Sequence, residues 1–278
     1  MLSFSLFIIC YFALCCQASE DWCYADVACA PGTWQTHYPT CGLNSQSPID
    51  IITSRTSYNS ALGSLQITSL TTPSSAVVTN NGHSVEVALN SEHILSRAGL
   101  SDPYRLAAFH FHFGNPNSAA QGSEHLINGQ GFPLEAHFVF YNTKYGDLTT
   151  AKANSDGLAV VGVLFKIGAK NYALSPLIEA LPNVANKEQS VTINFNLGRI
   201  LPYRSGQYYT YQGSLTTPPC SENVTWHVLA DIQQLDLAQY NAITTSLYFT
   251  PSGYGHPEQM ADNFRPVQPL NGRPVYKY

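Results

Sequence analysis

Residues 109–113 read Phe-His-Phe-His-Phe, and this alternation constrains the fold more than any other feature of the chain. In a β-strand, successive side chains point to opposite faces, so residues two apart share a face. Phe109, Phe111 and Phe113 then supply a row of rings for a core, and His110 and His112 stand side by side on the other face. Taken alone, that face is better read as two solvated histidines than as a pair of ligands, and the rest of the chain has to decide.

Short alternating or β-branched runs recur along the sequence: SLQIT, SSAVVT, HSVEVAL, YRLAAFHFHF, LEAHFVFYN, LAVVGVLFKI, SVTINFN, YYTYQGSL and NVTWHVLADI. Most are bounded by Gly, Pro, Asn or Ser, the residues that punctuate strands. Helical segments are few and short, with SPLIEAL (175–181) and LDLAQYNAIT (235–244) the best candidates. There is no internal repeat, low-complexity linker or shift in composition. The pattern predicts a predominantly β single domain with a large sheet and a few short helices.

Only 11% of the 278 residues are charged, the formal net charge is −5, and no run of Lys or Arg occurs. Nucleic acid is therefore not an expected partner. Leu2 to Cys16 is almost wholly apolar, the length of a signal-peptide core and short for a membrane span. Cleavage after Ala18 is expected, giving a signal peptide over 1–18 and a mature domain over 19–278. No second apolar run of membrane length follows, and the C-terminal NGRPVYKY is polar, so neither a membrane anchor nor a lipid-anchor tail is expected. The mature protein is expected to be secreted, extracellular and soluble. Of seven cysteines, Cys10, Cys15 and Cys16 fall in the leader, which leaves Cys23, Cys29, Cys41 and Cys220. An even number suits an oxidising compartment, and four cysteines allow three pairings. The sequon at Asn223 lies in a strand-like apolar stretch, where glycosylation is not expected.

A third histidine gives the first two their meaning. In LEAHFVFYN, His137 shares a face with Glu135, Val139 and Tyr141. If this strand neighbours 109–113, three imidazoles converge. Three neutral nitrogens with an open fourth position make a catalytic zinc arrangement, whereas a structural site closes the fourth position with a protein ligand. Glu135 is placed to accept the other N–H of His137 and fix its tautomer.

At this point the chain resembles the α-class carbonic anhydrases across nearly its whole mature length. The matching stretches are QSPIDI (46–51), NNGH (80–83), FHFHFG (109–114), QGSEH (121–125), LEAHFVFYN (134–142), LAVVGVLF (158–165), GSLTTPPCSENVTW (213–226) and NFRPVQPLNGR (263–273). The resemblance implies a large twisted, mostly antiparallel central sheet, a conical cleft ending at Zn2+, and reversible hydration of CO2 to bicarbonate and a proton. It implies His110, His112 and His137 as zinc ligands, and an apolar wall for CO2 from Val139, Val160, Leu215 and Trp226. Thr216, donating to Glu124, would orient a zinc-bound hydroxide. Thr217 would touch substrate or bicarbonate, and Tyr24 would join the solvent network. His83 would relay protons from a turn that leaves its ring mobile, with an unperturbed pKa of about 6.5. It also implies pairing of Cys41 with Cys220, leaving Cys23 with Cys29.

The departures from the family pattern are local. Phe113, Tyr141 and Phe264 stand where Trp is common, which keeps a ring in each place. Ala108 stands where a glutamine usually accepts the second N–H of the first histidine ligand, and alanine cannot do so. Glu86 in HSVEV is the substitute acceptor to look for; a solvated charge at the cleft mouth is the competing reading. Retention of all three histidines with Glu124 and Thr216 argues against a metal-free binding protein on the same fold. The chain also lacks the acidic or Gly/Asn-rich insertions that a mineral-matrix role would use.

Overall fold

The structure is a computed structural model that describes residues 22–68, 72–96, 100, 102–201 and 204–278. The expected signal peptide, 1–18, lies outside the described residues. The main path of the large sheet uses β1 (Ser57–Tyr58), β2 (Ser74–Asn80), β3 (Val85–Leu89), β4 (Tyr104–Phe113), β5 (Leu134–Asn142), β6 (Leu158–Ile167), β7 (Ser190–Phe195), β8 (Tyr208–Gly213), β9 (Val224–Leu229) and β10 (Tyr276–Lys277). Their order across the sheet is β7-β2-β3-β4-β5-β6-β9-β8-β10-β1. The pairings are mostly antiparallel, as expected, but β6 runs parallel to β9 and β10 parallel to β1. Residue pattern reports which face is buried and carries no signal of strand direction, which long connections decide.

The alternation in β4 has the effect the sequence implies. Phe109, Phe111 and Phe113 are fully buried, as are Phe138 and Phe140 of β5, and Phe109 stacks on Phe138 with ring centroids 5.0 Å apart. Burial of each such ring contributes roughly 1.5–3 kcal/mol. A register shift between Leu106 and Ala108 inserts one residue into β4 opposite β5. β6 is apolar without alternation because both its faces are covered. Ala159, Val161 and Val163 join the phenylalanine core, while Leu158, Val160 and Leu164 join a second cluster with Trp226 and Val228.

Among the described residues, four α-helices accompany the sheet: α1 (Trp34–His37), α2 (Leu148–Lys152), α3 (Ser175–Ala180) and α4 (Leu237–Ser246). The two expected helices are α3 and α4. α4 starts at a capping box, in which Asp236 accepts the Gln239 N–H at 2.8 Å and Gln239 Oε1 accepts the Asp236 N–H at 3.2 Å. Leu177, Tyr240 and Ile243 of these helices pack on the phenylalanine core. α1 and α2 were missed because four or five residues are too few to show a helical period. Asn223 is buried and its amide donates to the Lys152 carbonyl at 2.7 Å, in keeping with an unglycosylated sequon.

Among the described residues, Cys41 pairs with Cys220 and Cys23 with Cys29. The first spans a sequence separation of 179 and ties the N-terminal region to the turn that follows Thr216 and Thr217. Replacing both Cys41 and Cys220 with serine is expected to lower unfolding free energy by about 2–5 kcal/mol, chiefly through the freed unfolded chain. Urea titration measures the loss, and non-reducing peptide mapping that joins Cys23 to Cys220 would refute the pairing.

Candidate metal centre

β4 and β5 lie side by side in a register that sets His110 directly opposite His137 and His112 opposite Glu135. Because the phenylalanines hold the other face in the core, the three imidazoles are forced onto one side. Their ligand nitrogens all lie within 4.8 Å of one another. Nε2 of His110 and Nε2 of His112 are 3.1 Å apart. Two nitrogens sharing a tetrahedral Zn2+ would stand about 3.3 Å apart.

The outer hydrogen bonds assign the tautomers. His112 Nδ1 donates to the Asn263 carbonyl at 2.7 Å, so its Nε2 carries the lone pair. His137 Nε2 donates to Glu135 Oε1 at 2.9 Å, so its Nδ1 carries the lone pair. Burial is the main reason all three rings stay neutral: it lowers the pKa of His137, brings His112 to about 4, and puts His110 well below 6.5 with help from His112 and His137. Three neutral nitrogen donors with oriented outer shells fit a divalent ion such as Zn2+. Glu86 lies opposite His110 in the β3–β4 ladder. Among the described residues no hydrogen bond joins them, so the register brings the substitute acceptor alongside without closing the bond.

Glu135 anchors this side of the site. Oε2 accepts the backbone N–H groups of Glu124 and His125 at 2.9 and 2.8 Å, and Oε1 accepts from His125 Nδ1 and His137 Nε2 at 2.8 and 2.9 Å. Burial alone would raise its pKa, but His125 and His137 outweigh burial and hold the carboxyl well below its usual range. Gly162, opposite His137 on β6, makes room for it: a Cβ there would stand 2.9 Å from Glu135 Oε1. His125, Glu135 and His137 also form a compact trio of potential ligands. Their atoms are committed to one another, and His125 Nε2 meets Tyr211 Oη at 2.7 Å, so this trio holds protons. The sequence reading missed His125, although it lies within the GSEH segment, and missed Asn263, whose backbone carbonyl leaves no side-chain signal.

His110 and His112 open on a cleft of about 490 Å³ that Val139, Leu215, Thr217, Tyr24 and His83 also border, with His137 buried beside them. Val160, Trp226 and Thr216 are buried and do not border it. Val160 and Trp226 pack behind Val139 and Leu215, and the Trp226 ring stands edge-on to His137 at 4.8 Å. Glu124 is fully enclosed, and its Oε1 accepts the Arg265 N–H at 2.7 Å. Burial raises its pKa to about 7 against the opposing effects of His137, the Thr216 hydroxyl and the Arg265 N–H. Thr216 is thus close enough to favour the charged carboxylate, yet among the described residues Oε2 has no partner of full hydrogen-bond geometry. His83 differs from expectation. Its ring stacks on Trp22, centroids 3.8 Å apart and planes 14° apart, and burial lowers its pKa to about 4. The turn residues Asn81 and Gly82 do not by themselves leave it mobile, because a distant segment covers it.

These shifts fix the pH response of the metal-free protein. Unfolded histidines bind protons near pH 6.5, whereas folded His83 and His112 do so only near 4, and His110 and His137 are also lowered. Acidification from pH 6.5 towards 4 therefore favours the unfolded chain. Glu124, between 4.5 and about 7, and Glu86, also raised by burial, act in the opposite sense, two groups against these four and His93, which burial lowers as well. The urea midpoint of chelator-treated protein is expected to fall between about pH 7 and pH 5; a flat or rising midpoint would contradict the neutral-histidine assignment.

Comparison with known proteins agrees with the site. A family model described as eukaryotic-type carbonic anhydrase matches residues 29–278. Carbonic anhydrase 12 of Homo sapiens is 40% identical over 249 residues, covering 88% of this chain and 69% of that protein. Carbonic anhydrase 6 of Mus musculus is 38% identical over 274 residues, covering 96% and 84%. Carbonic anhydrase 1 of Mus musculus is 38% identical over 267 residues, covering 93% and 98%. A converging histidine triad on a two-strand ladder and a match over nearly the whole sequence lead to one conclusion: the chain belongs to the eukaryotic-type, α-class carbonic anhydrase family and is an enzyme of that family.

Proposed function

We propose that the chain is a secreted zinc enzyme for the reversible hydration of CO2, in which His110, His112 and His137 hold the metal, Glu124 and Thr216 orient the attacking oxygen, and His83 carries the proton out. The observation that carries this reading is the convergence of three neutral imidazoles, two with hydrogen-bond-assigned tautomers, at a cleft. Residues 1–18 act as the signal peptide and 19–278 as the mature domain. Two disulfides support an extracellular site, since such bonds persist in oxidising compartments. No described helix is long and apolar enough to cross a membrane.

Zn2+ bound by these nitrogens supplies a Lewis acid whose charge brings the pKa of water from about 16 to about 7, a figure for which carbonic anhydrase is itself the reference case. The protein does the rest. Ionised Glu124 only accepts hydrogen bonds, so the single Thr216 proton is directed to it. The threonine oxygen is then left as an acceptor, which selects a nucleophile with a proton to give and disfavours an anion without one. Val139 and Leu215, backed by Val160 and Trp226, give CO2 a dry wall. Thr217 and Tyr24 both border the cleft; in this reading Thr217 meets bicarbonate and Tyr24 joins the water network. Glu135 keeps the His137 proton on Nε2 and so leaves Nδ1 for the metal.

Replacing His110, His112 or His137 with alanine is expected to abolish tight zinc retention, measured by metal analysis after dialysis, and nearly all CO2 hydration. A variant retaining wild-type zinc and rate would refute the ligand set. His83→Ala is expected to lower kcat in dilute buffer roughly 10-fold and leave kcat/KM nearly unchanged, because the relay acts after the chemical step. Added imidazole should restore much of the rate; equal losses in both parameters would remove His83 from the relay.

A further inference from the structure

His83 is the wall between two cavities. It borders the metal cleft and also an outer cavity of about 490 Å³ on the far side, and Tyr24 borders both. What closes this wall is a segment distant in sequence. Trp22 lies flat on the His83 ring at 3.8 Å and stands edge-on to Tyr24 and Trp34. The next residue, Cys23, is bonded to Cys29, and the Cys23 N–H donates to the Cys29 carbonyl at 2.8 Å. The closed loop is pinned from beneath: the indole N–H of buried Trp34 reaches the carbonyls of both Cys23 and Cys29, at 3.2 and 2.9 Å. Arg265 stands over the Trp34 ring and donates to the Cys41 carbonyl, joining this platform to the second disulfide. Residues 25–28 are exposed.

One aromatic stack is worth less than the entropy of fixing a few residues of backbone. Trp22 therefore stays on His83 only if something else orders its segment, and the bridge starts one residue away. We propose that the Cys23–Cys29 loop is a positioning element for the proton relay: it holds Trp22 on His83, keeps that imidazole fixed in the wall between the two cavities, and thereby throttles its exchange with solvent. The inference rests on His83 as the relay. Burial lowers the His83 pKa, in keeping with a ring covered by an indole. Other groups face the ring's surroundings, and the bridge variants leave them in place: Tyr24 on the strap, Glu86 and Lys152 across the cleft, and Asp26, Lys187 and Glu258 around the outer cavity.

The test uses the full mature chain loaded with zinc, as wild type, Cys23→Ser with Cys29→Ser, Trp22→Ala and Trp22→Phe. Two readouts are taken: the NMR titration of His83, and kcat and kcat/KM in dilute and concentrated buffer. Opening the bridge and removing the indole are both expected to move the His83 midpoint from about 4 towards the free value of about 6.5. Both should raise kcat in dilute buffer by about three-fold or more, with kcat/KM unchanged. Trp22→Phe, which keeps a stacking ring, should stay near wild type. A His83 midpoint unchanged in the double serine variant, with Trp22→Ala shifted, would overturn the role of the bridge. A midpoint unchanged in both would overturn the clamp altogether. If the serine variant does not fold, Trp22→Ala against Trp22→Phe still decides whether the clamp exists, and cleavage of the exposed 25–28 loop in the folded wild type, bridge intact, should leave the midpoint near 4. The NMR midpoint does not depend on the relay assignment, so a shifted midpoint with no change in kcat would count against the relay alone.

Discussion

The ladder between β4 and β5 is the contact on which the site depends. Its buried face holds five phenylalanines, and its open face holds His110, His112, Glu135 and His137. A one-residue slip would exchange the faces, exposing the rings and burying the imidazoles in the core. The phenylalanines therefore do more than fill space. Their burial, at roughly 1.5–3 kcal/mol for each ring, enforces the register that aligns the three imidazoles. The stability of the core and the geometry of the metal centre are set by the same pairing.

Around that ladder, the polar groups are arranged by one buried carboxylate. Glu135 accepts four hydrogen bonds, two from backbone N–H groups of the 124–125 turn and two from imidazoles. An ionised carboxylate without such partners would be costly to bury. With them it fixes the His137 tautomer and also positions the turn that carries Glu124. The two carboxylates thus divide the work. Glu135 is saturated and held ionised, whereas Glu124 keeps an oxygen without a full partner among the described residues and is raised by burial to about 7. That contrast suits an anchoring role for the first and a responsive role, beside Thr216, for the second.

The N-terminal strap adds a different kind of order. A stacked aromatic pair contributes about 0.5–1.5 kcal/mol, and fixing one residue of backbone costs about 1–2 kcal/mol. Trp22 cannot order its own segment on those terms, and the Cys23–Cys29 loop on Trp34 does so instead. Through Arg265 the same platform reaches Glu124, whose Oε1 accepts the Arg265 backbone N–H. A line of packed and hydrogen-bonded groups thus runs from the exposed loop to the carboxylate beside the metal ligands.

The sequence by itself determined the strands, the buried faces and the three histidines of the candidate metal centre, because period-two alternation and residue chemistry are local. YRLAAFHFHF, LEAHFVFYN and LAVVGVLFKI correspond residue for residue to β4, β5 and β6. It also pointed to Glu135 as the partner of His137, since the two are neighbours on one strand face. What only the tertiary structure decided are relations between distant segments. The parallel pairing of β6 with β9, the Asn263 carbonyl that orients His112 and the His125–Tyr211 contact all join residues far apart in the chain. The Glu86–His110 pairing falls between the two cases: the residues were legible, but whether a hydrogen bond closes depends on side-chain geometry across the ladder. His83 shows the limit most clearly. Its turn reads as exposed and free, and its burial comes from an indole brought sixty-one positions along the chain by a disulfide loop, a constraint that no local pattern encodes.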